Sequence, residues 1–476
     1  MSNVNENSEG SGSAHKAKAR LEIFAWIVTL GGFLFGIDTG ATNGSLTFMT
    51  RPDQLNLSPS DEGLVTSGVT LGAAFGAAIG GRLSDYFGRK RMLLGSAFVF
   101  IIGTLGCVFA PNAIVMIIFR IFLGLGVGCE SAVSPVFLAE LSTPEIRGRM
   151  VNQHELMIVG GQLTAYIVNA TLGVAFASHA DIWRWMLAFG FIPEILLLIG
   201  IAFISESPRW LVLHGRTAEA REIFKQIRGK DFDIEGEIAS IKGAIKDESK
   251  TKKASFKDLK TPWILRLVLI GVGTGIMQQI IGINVMMYYG TTILTNAGFG
   301  HSAALIANVG NGITSVLATI VSIHLLSKYD RRKMIITGVT GTLIVWGAIN
   351  VMAATMAHSP AFPYIMMLLM VLFLAFFQGG ISPVVWLLLS EIFPQEIRGL
   401  AMGISTFALW LANFAVGYIF PVLIAAIGMS HTFMVFMICN AIGLVFAIKY
   451  IPETRGKSLE QLEHEFHDMG KEKANN

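Results

Sequence analysis

Apolar residues run along this chain in long blocks and do not alternate with polar ones. Blocks of about 20 residues, enough to cross roughly 30 Å of hydrocarbon as a helix, recur from one end to the other. Twelve are predicted as transmembrane helices, near 22–48, 62–84, 92–110, 113–138, 150–173, 184–204, 264–296, 302–326, 333–356, 362–390, 399–426 and 430–451. Several are rich in Gly and none has the period of an outer-membrane strand, so the pattern predicts an all-α polytopic membrane protein and not a β-barrel. Between Glu206 and Lys260 the pattern changes to charged and polar, with "TAEAREIFKQIRG" at 217–229 reading as an amphipathic surface helix. The chain therefore divides into a tail (1–20), a six-helix bundle (21–205), a helical linker (206–261), a second six-helix bundle (262–452) and a second tail (453–476).

Composition agrees with this division. Of 476 residues 53% are hydrophobic and 14% charged, with mean hydropathy +0.58, too apolar for a soluble protein of this size. The net charge of +3 says less than its placement: "GRKR" (88–91), "RGR" (147–149) and the Lys-rich run 242–260 fall on one side of the pattern. The positive-inside rule makes that side cytoplasmic, and an even number of crossings puts both termini there, in a multi-pass protein of the cell membrane. The first twenty residues are polar and lack a short cleavable apolar core, so they are expected to be a disordered cytosolic tail, with the first helix as its own insertion signal. Cys107, Cys129 and Cys439 lie within predicted helices without metal-type spacing and are expected to be packing residues.

The two bundles repeat each other. "AELSTPEIRGRM" (139–150) follows the fourth helix and "SEIFPQEIRGLAM" (390–402) the tenth; "LSDYFGRKRM" (83–92) follows the second and a degraded "LLSKYDRRKM" (325–334) the eighth. Duplicated halves about a linker suit an alternating-access transporter, in which two bundles rock about a site at the midplane. No metal-ligand set, P-loop or Ser–His arrangement points to an enzyme. "GLGVG" (124–128) lies mid-helix with no strand before it, so it reads as close helix packing and not as a nucleotide motif.

Together with "ESPRWL" (206–211), "QQIIGINVMMYY" (278–289) and "PETRGKSLEQLE" (452–463), these phrases resemble the sugar porters of the major facilitator superfamily over essentially the whole chain. "HELMIVGGQL" (154–163) and "ISPVVW" (381–386) are most similar to phrases of bacterial myo-inositol transporters. The resemblance implies the major facilitator fold and import of a neutral polyol or sugar, with protons as the coupling ion and no other cofactor or metal. The expected partners are the substrate and the bilayer, with no nucleic acid and a monomeric chain. A hexose or pentose porter, coupled or facilitative, is the nearer alternative, and a transporter-like nutrient sensor the more distant one; sensors usually carry a long cytosolic tail, and only 26 residues follow Tyr450.

Within "FLFGIDTGATNG" (33–44), Asp38 is a carboxylate where lipid or packed helix is expected, at a cost of about 2.5–3.5 kcal/mol if left ionised. Arg120, in "IVMIIFRIFLGLGVG", carries the same cost in the fourth helix, and pairing the two satisfies both. In the proton-coupled sugar porters that the chain resembles, an acid and an arginine at the matching positions form the coupling pair, while uncoupled relatives tend to carry Asn in place of the acid. Burial favours the protonated carboxyl and a guanidinium the ionised one, so a small rearrangement can load or release a proton. The other reading of the pair is a structural salt bridge.

A polar stripe follows on the fifth helix, where Glu155, Gln162 and Asn169 are spaced by seven residues and so share a face. It reads as hydroxyl-binding, or as helix–helix bonding. Hexose porters typically have Gln at the position of Glu155, a departure that suits an inositol ring or adds a titrating group. The resemblance assigns Gln278, Gln279 and Asn284 to sugar hydroxyls, and Gly282 between them predicts local unwinding. Tyr288 and Tyr289 are candidate gate residues, or alternatively interface anchors. Gln378 and Trp386 flank Gly379, Gly380 and Pro383, a candidate gating hinge, and Asn413 is a further substrate candidate. Ser315 stands where the family usually has Asn, with Asn311 one turn away as a substitute. The family's cytosolic salt-bridge network maps to Asp85, Arg89, Glu140, Arg147, Arg149, Glu206, Arg209, Glu391, Arg398 and Glu453. The second basic loop has only Asp330 and Ser327 near the positions of the missing Gly and Asp, so the two halves are expected to be unequally clasped.

Overall fold

A computed structural model describes residues 3–142, 144–228, 232–250, 259, 261–394 and 397–455; the side chains of 3–18, 144–152, 245 and 247–250 lie outside the description. Most of the terminal segment 453–476 and part of the linker, 251–258, also fall outside it. Among the described residues every regular element is helical. The first half comprises α1 (Asn3–Met49), α2 (Pro59–Phe87), α3 (Arg89–Val108), α4 (Ala113–Leu141), α5 (Pro144–Ala175) and a sixth crossing in two pieces, α6 (Ile182–Ala188) and α7 (Phe191–Phe203). The linker holds α8 (Pro208–Leu213), α9 (Thr217–Arg228) and α10 (Ile234–Lys250). The second half comprises α11 (Pro262–Ile280), α12 (Ile283–Asn296), α13 (His301–Leu326), α14 (Arg331–Thr355), α15 (Phe362–Gly380), α16 (Ser382–Glu391) and α17 (Arg398–Tyr450).

Eleven helical stretches are long and apolar enough to span a bilayer. The last of them has 53 residues, about 80 Å of helix at 1.5 Å per residue, far more than one bilayer needs. It is two crossings joined at Gly428, whose φ of 79° ends one helix and starts the next, so the expected twelve are reached. Helix starts follow capping chemistry. The Ser58 side chain accepts from the Asp61 amide and Pro59 opens α2, while Asn112 accepts from the Val115 amide at 3.0 Å to open α4. At the chain start, α1 is helical from Asn3. Extending an existing helix avoids the nucleation cost that a free polar segment would face.

Two glycine ladders hold the first half together. On α1, Gly32, Gly36, Gly40 and Gly44 recur every four residues against α5, where added Cβ atoms would meet His154, the Ile158 carbonyl at 1.9 Å, Ala165 and Asn169 respectively. On α2, Gly72 and Gly76 press on the Ile121 and Leu125 carbonyls of α4, and Gly124 and Gly128 of α4 press back on Val69 and Ala73. Without a hydrophobic drive between helices in lipid, such close backbone approach supplies the dispersion that holds them.

The second half uses bulk instead. Trp346 stacks among Phe373, Phe433 and Phe436 at ring separations of 5.6, 5.5 and 5.7 Å. Its indole NH donates to the Ile281 carbonyl at 2.8 Å, beside the break between α11 and α12. Gly282 sits in that break with φ 98°, and a Cβ there would lie 2.9 Å from the Trp346 ring. The linker helix α9 buries Ala220, Phe224 and Ile227 against the first half, tied by Arg228 to the Leu141 carbonyl at 2.6 Å.

Candidate functional site

The ladder positions Asp38. It lies on α1 between Gly36 and Gly40, turned toward α4, where Arg120 is almost fully buried. Arg120 Nη1 donates to Asp38 Oδ1, while its Nε and Nη2 donate to the Val65 and Thr66 carbonyls at 2.8 and 3.4 Å. The guanidinium is thus fixed by three acceptors, whereas Asp38 Oδ2 is buried with no hydrogen-bond partner. The pair lines a cavity of about 20 Å³, room for roughly one water, together with Thr104, Cys107 and Glu194. Glu194 on α7 accepts from Thr104 at 2.5 Å through one oxygen and leaves the other unpaired. The site reading from sequence missed Glu194. It carried the same signal as Asp38, a carboxylate in an apolar run.

A second polar group forms where helices break. Across Gly282, Asn284 Nδ2 donates to Gln279 Oε1 at 2.6 Å, and Gln279 Nε2 lies 3.4 Å from Gln278 Oε1. All three are buried, as are Gln378 at the end of α15 and Asn413 on α17. Gln378 Oε1 and Asn413 Oδ1 have no protein partner. Ile381, between Gly380 and the Ser382–Pro383 start of α16, has φ −117° and ψ −58°, so α15 and α16 are separate pieces at the expected hinge. Trp386 is half-buried and packs against the apolar cluster that joins first-half residues to Leu409 and Trp410 of α17. From α5, Gln162 is buried against the α1 ladder, its backbone 2.8–2.9 Å from where Cβ atoms on Gly36 and Gly40 would sit. Glu155 accepts from Ser382 at 2.8 Å, joining α5 to α16. Asn169 does not line this region: it donates to the Gly40 carbonyl at 2.6 Å and serves the α1–α5 contact.

Away from the basic loops, on the opposite face, the halves are hydrogen-bonded together. Asn43 on α1 donates to the Met287 carbonyl at 2.5 Å and accepts from Thr291 N, Thr291 Oγ1 and Asn308 Nδ2 at 3.1, 2.6 and 2.9 Å. Tyr166 also donates to the Met287 carbonyl, at 3.1 Å. Asn311, suggested above as a stand-in for the missing family Asn, instead donates to Asn308 at 2.7 Å and extends this seal, and Ser315 bonds back to the Asn311 carbonyl at 3.0 Å. Tyr288 and Tyr289 are 1% and 0% exposed, which removes the interface-anchor reading. The Tyr289 hydroxyl donates to the Gly417 carbonyl at 2.7 Å, within the second half.

On the basic face, Arg89 forks onto Glu140 at 3.0 and 2.9 Å and reaches Asp85 at 3.0 Å. Glu206 accepts from the Arg89 and Lys90 amides at 2.9 and 3.2 Å. The second half repeats this with Arg331, which the sequence reading did not single out. Arg331 pairs with Glu391 at 3.4 Å, and Glu453 accepts from the Arg331 and Arg332 amides at 3.0 and 3.1 Å. The two clasps are unequal, as the degraded loop suggests: Asp330–Arg331 stands where Gly88–Arg89 stands in the first half and each arginine pairs within its own half, but Arg331 makes a single 3.4 Å contact with Glu391 where Arg89 forks onto Glu140, and Ser327 stands at the position of Asp85. Arg398 donates to the Phe393 carbonyl at 3.2 Å, and Arg209 lies just inside the start of α8. The side chains of Arg147 and Arg149 lie outside the described residues.

Comparison with known proteins adds three findings. Residues 24–466 match the family model described as sugar (and other) transporter. The chain is 50% identical over 440 residues to the major myo-inositol transporter IolT of Bacillus subtilis, covering 92% of this chain and 93% of that one. Its fold superimposes on a partially occluded inward-open conformation of the xylose transporter XylE from E. coli with a TM-score of 0.81, at 29% identity, covering 93% of this chain and 100% of that one. A structure of the proton:xylose symporter XylE bound to 6-bromo-6-deoxy-D-glucose gives a TM-score of 0.75 at 30% identity, over 94% of this chain and 99% of that one.

Proposed function

The chain belongs to the sugar transporter family, and on that basis we propose that it is a proton-coupled importer of myo-inositol or a related sugar. The observation that carries the coupling is Asp38: a buried carboxylate with one oxygen held by Arg120 and the other without a partner, so that a proton has a place to bind. With the proton on, Arg120 keeps its two carbonyl acceptors; with the proton off, the ion pair balances the charge. Protonation thus leaves the guanidinium held by carbonyl dipoles but without its counter-charge, which loosens α1 from α4 and ties proton binding to rearrangement of the helices.

The substrate site in this reading is the group at the helix breaks, Gln278, Gln279, Asn284, Gln378 and Asn413, with Gln162 and Glu155 from α5 and the ring of Trp386. These side chains offer amide donors and acceptors in a dry place, with no fixed cation among them, which suits a neutral molecule bearing several hydroxyls. The carboxylate of Glu155 favours a ligand able to donate a hydroxyl to it in exchange for Ser382. The relationship to a myo-inositol transporter at 50% identity supports that polyol over a hexose or pentose. No bond is made or broken in the substrate; the protein works by exposing the site first to one face and then to the other. The basic face is the cytoplasmic one, with both termini on it, in a cell membrane.

The test separates coupling from passage. Asp38→Asn is expected to abolish accumulation of labelled myo-inositol against its gradient in proteoliposomes while preserving exchange of labelled for unlabelled myo-inositol. Loss of both together, in protein that still elutes as a single folded species, makes Asp38 a structural residue.

A further inference from the structure

Seven residues before Asp38 on the same helix, α1 packs over a second buried titratable pair that the coupling scheme does not use. Glu130 of α4 and His154 of α5 face each other, with Glu130 Oε1 3.9 Å from His154 Nδ1 and side-chain exposures of 2% and 13%. Ser134 hydrogen-bonds to Glu130 Oε1 and also to the Val28 carbonyl, at 3.0 Å. His154 Nδ1 is buried without a hydrogen-bond partner. The lid over the pair is glycine backbone: a Cβ on Gly31 would lie 2.2 Å from the Glu130 carboxyl carbon, and one on Gly32 would lie 2.9 Å from the His154 ring.

Among the described residues, the other titratable groups on the packed elements are engaged elsewhere. On α4, Arg120 holds Asp38, Glu140 holds Arg89, and Cys129 donates to the Gly76 carbonyl of α2. On α5, Glu155 faces Ser382. On α1, the only titratable side chain of the adjoining turns is Asp38. Among the described residues, no lysine or arginine is therefore placed to neutralise an ionised Glu130. A carboxylate in such a place needs a proton, either its own or one carried by the facing imidazole. In both arrangements the pair holds one proton and carries no net charge.

We propose that Glu130 and His154 form a proton-binding site separate from Asp38, which holds one shared proton while Gly31 and Gly32 cover it and releases it when α1 parts from α4 and α5. The ligand is a proton, and the site lies on the basic-face side of Asp38, since α1 and α5 both run from the basic face and the pair precedes Asp38 and Gln162 on them. Transport then depends on the pH of the basic side through a group other than the coupling carboxyl. Water reaching the pair, and not substrate binding, is what sets the proton free.

The test needs no substrate, so its failure and the failure of the transport reading are separable. Infrared spectra of the purified protein in lipid nanodiscs are taken over roughly pH 5 to 8, the range in which imidazole chemistry acts. The wild-type spectrum minus that of Glu130→Gln isolates the protonated carboxyl band of Glu130. The expected result is a band present at the acid end and lost within the range, at a pH that His154→Gln moves by about one unit or more and Asp38→Asn leaves in place. Glu130→Asp, which keeps the carboxyl, serves if Glu130→Gln fails to fold. A pair with neither a protonated Glu130 carboxyl band nor an imidazolium band of His154 at the acid end, or a Glu130 titration that ignores His154→Gln, overturns the proposal.

Discussion

At the scale of residues, the arrangement rests on charges that can be neutralised in more than one way. Arg120→Ala leaves Asp38 buried without its partner, and a stranded buried charge of this kind costs about 3–5 kcal/mol. Thermal unfolding in detergent should show that loss, and Asp38→Asn in the same chain should recover part of it. A recovery of nothing would mean that Arg120 acts only through Val65 and Thr66. At the helix breaks, Gln279→Ala and Asn284→Ala each remove one proposed hydroxyl partner and orphan the other residue. Each is expected to raise the KM for myo-inositol by about 5- to 100-fold, equal to roughly 1–3 kcal/mol, with little change in expression. Asp38 and Arg120 were legible in the sequence because two opposite charges in apolar runs imply each other. Glu194, Glu130 and His154 broke the same rule, but none has an opposite fixed charge in a facing run, so the pairing argument had nothing to point to. The shared cavity and the 3.9 Å approach exist only once the helices are packed.

At the scale of elements, spacing decides how near two helices can come. Gly36→Ala places a Cβ 1.9 Å from the Ile158 carbonyl, and backbone cannot yield as a flexible side chain does. The α1–α5 contact should open and stability fall by about 1–3 kcal/mol. Gly81→Ala on α2 meets nothing within 4 Å and should be neutral or stabilise slightly. Thermal unfolding of the two variants side by side checks the ladder: equal effects would contradict it. Helix positions were readable from hydropathy because a bilayer demands about 20 apolar residues per crossing. The ladders were present too, as glycines at every fourth position in "GFLFGIDTGATNG", but that spacing does not say which helix they meet; their α5 partners exist only in the packed fold. The clasp of the second half was obscured because its loop replaces Gly88 with Asp330; the arginine and the two glutamates, which do the binding, are all retained.

At the scale of the whole molecule, two six-helix halves meet over a polar interior and are hydrogen-bonded to each other on the opposite face. Asn43 is the hub of that seal, with four hydrogen bonds to the second half. Asn43→Ala should cost the sealed state about 1–3 kcal/mol, enough to shift a two-state rocking equilibrium measurably. Spin labels at Phe109 and His358, on opposite-face loops of the two halves, should report a longer and broader distance in the variant than in the wild type. An unchanged distribution would mean that the seal does not govern that equilibrium. Repeated phrases disclosed the duplication, but the seal could not be seen in them, since Asn43, Thr291 and Asn308 belong to no repeated phrase and meet only across the halves.

The central claim, that this sugar transporter family member couples protons to myo-inositol entry, is tested most directly by uptake of labelled myo-inositol into proteoliposomes under an inward proton gradient. One unit of pH and 100 mV together supply roughly 3.7 kcal/mol per proton, enough for a several-hundred-fold gradient of a neutral solute. The account predicts accumulation above the outside concentration that a protonophore collapses. Entry that stops at equilibrium, with or without the protonophore, would contradict it and leave a facilitator.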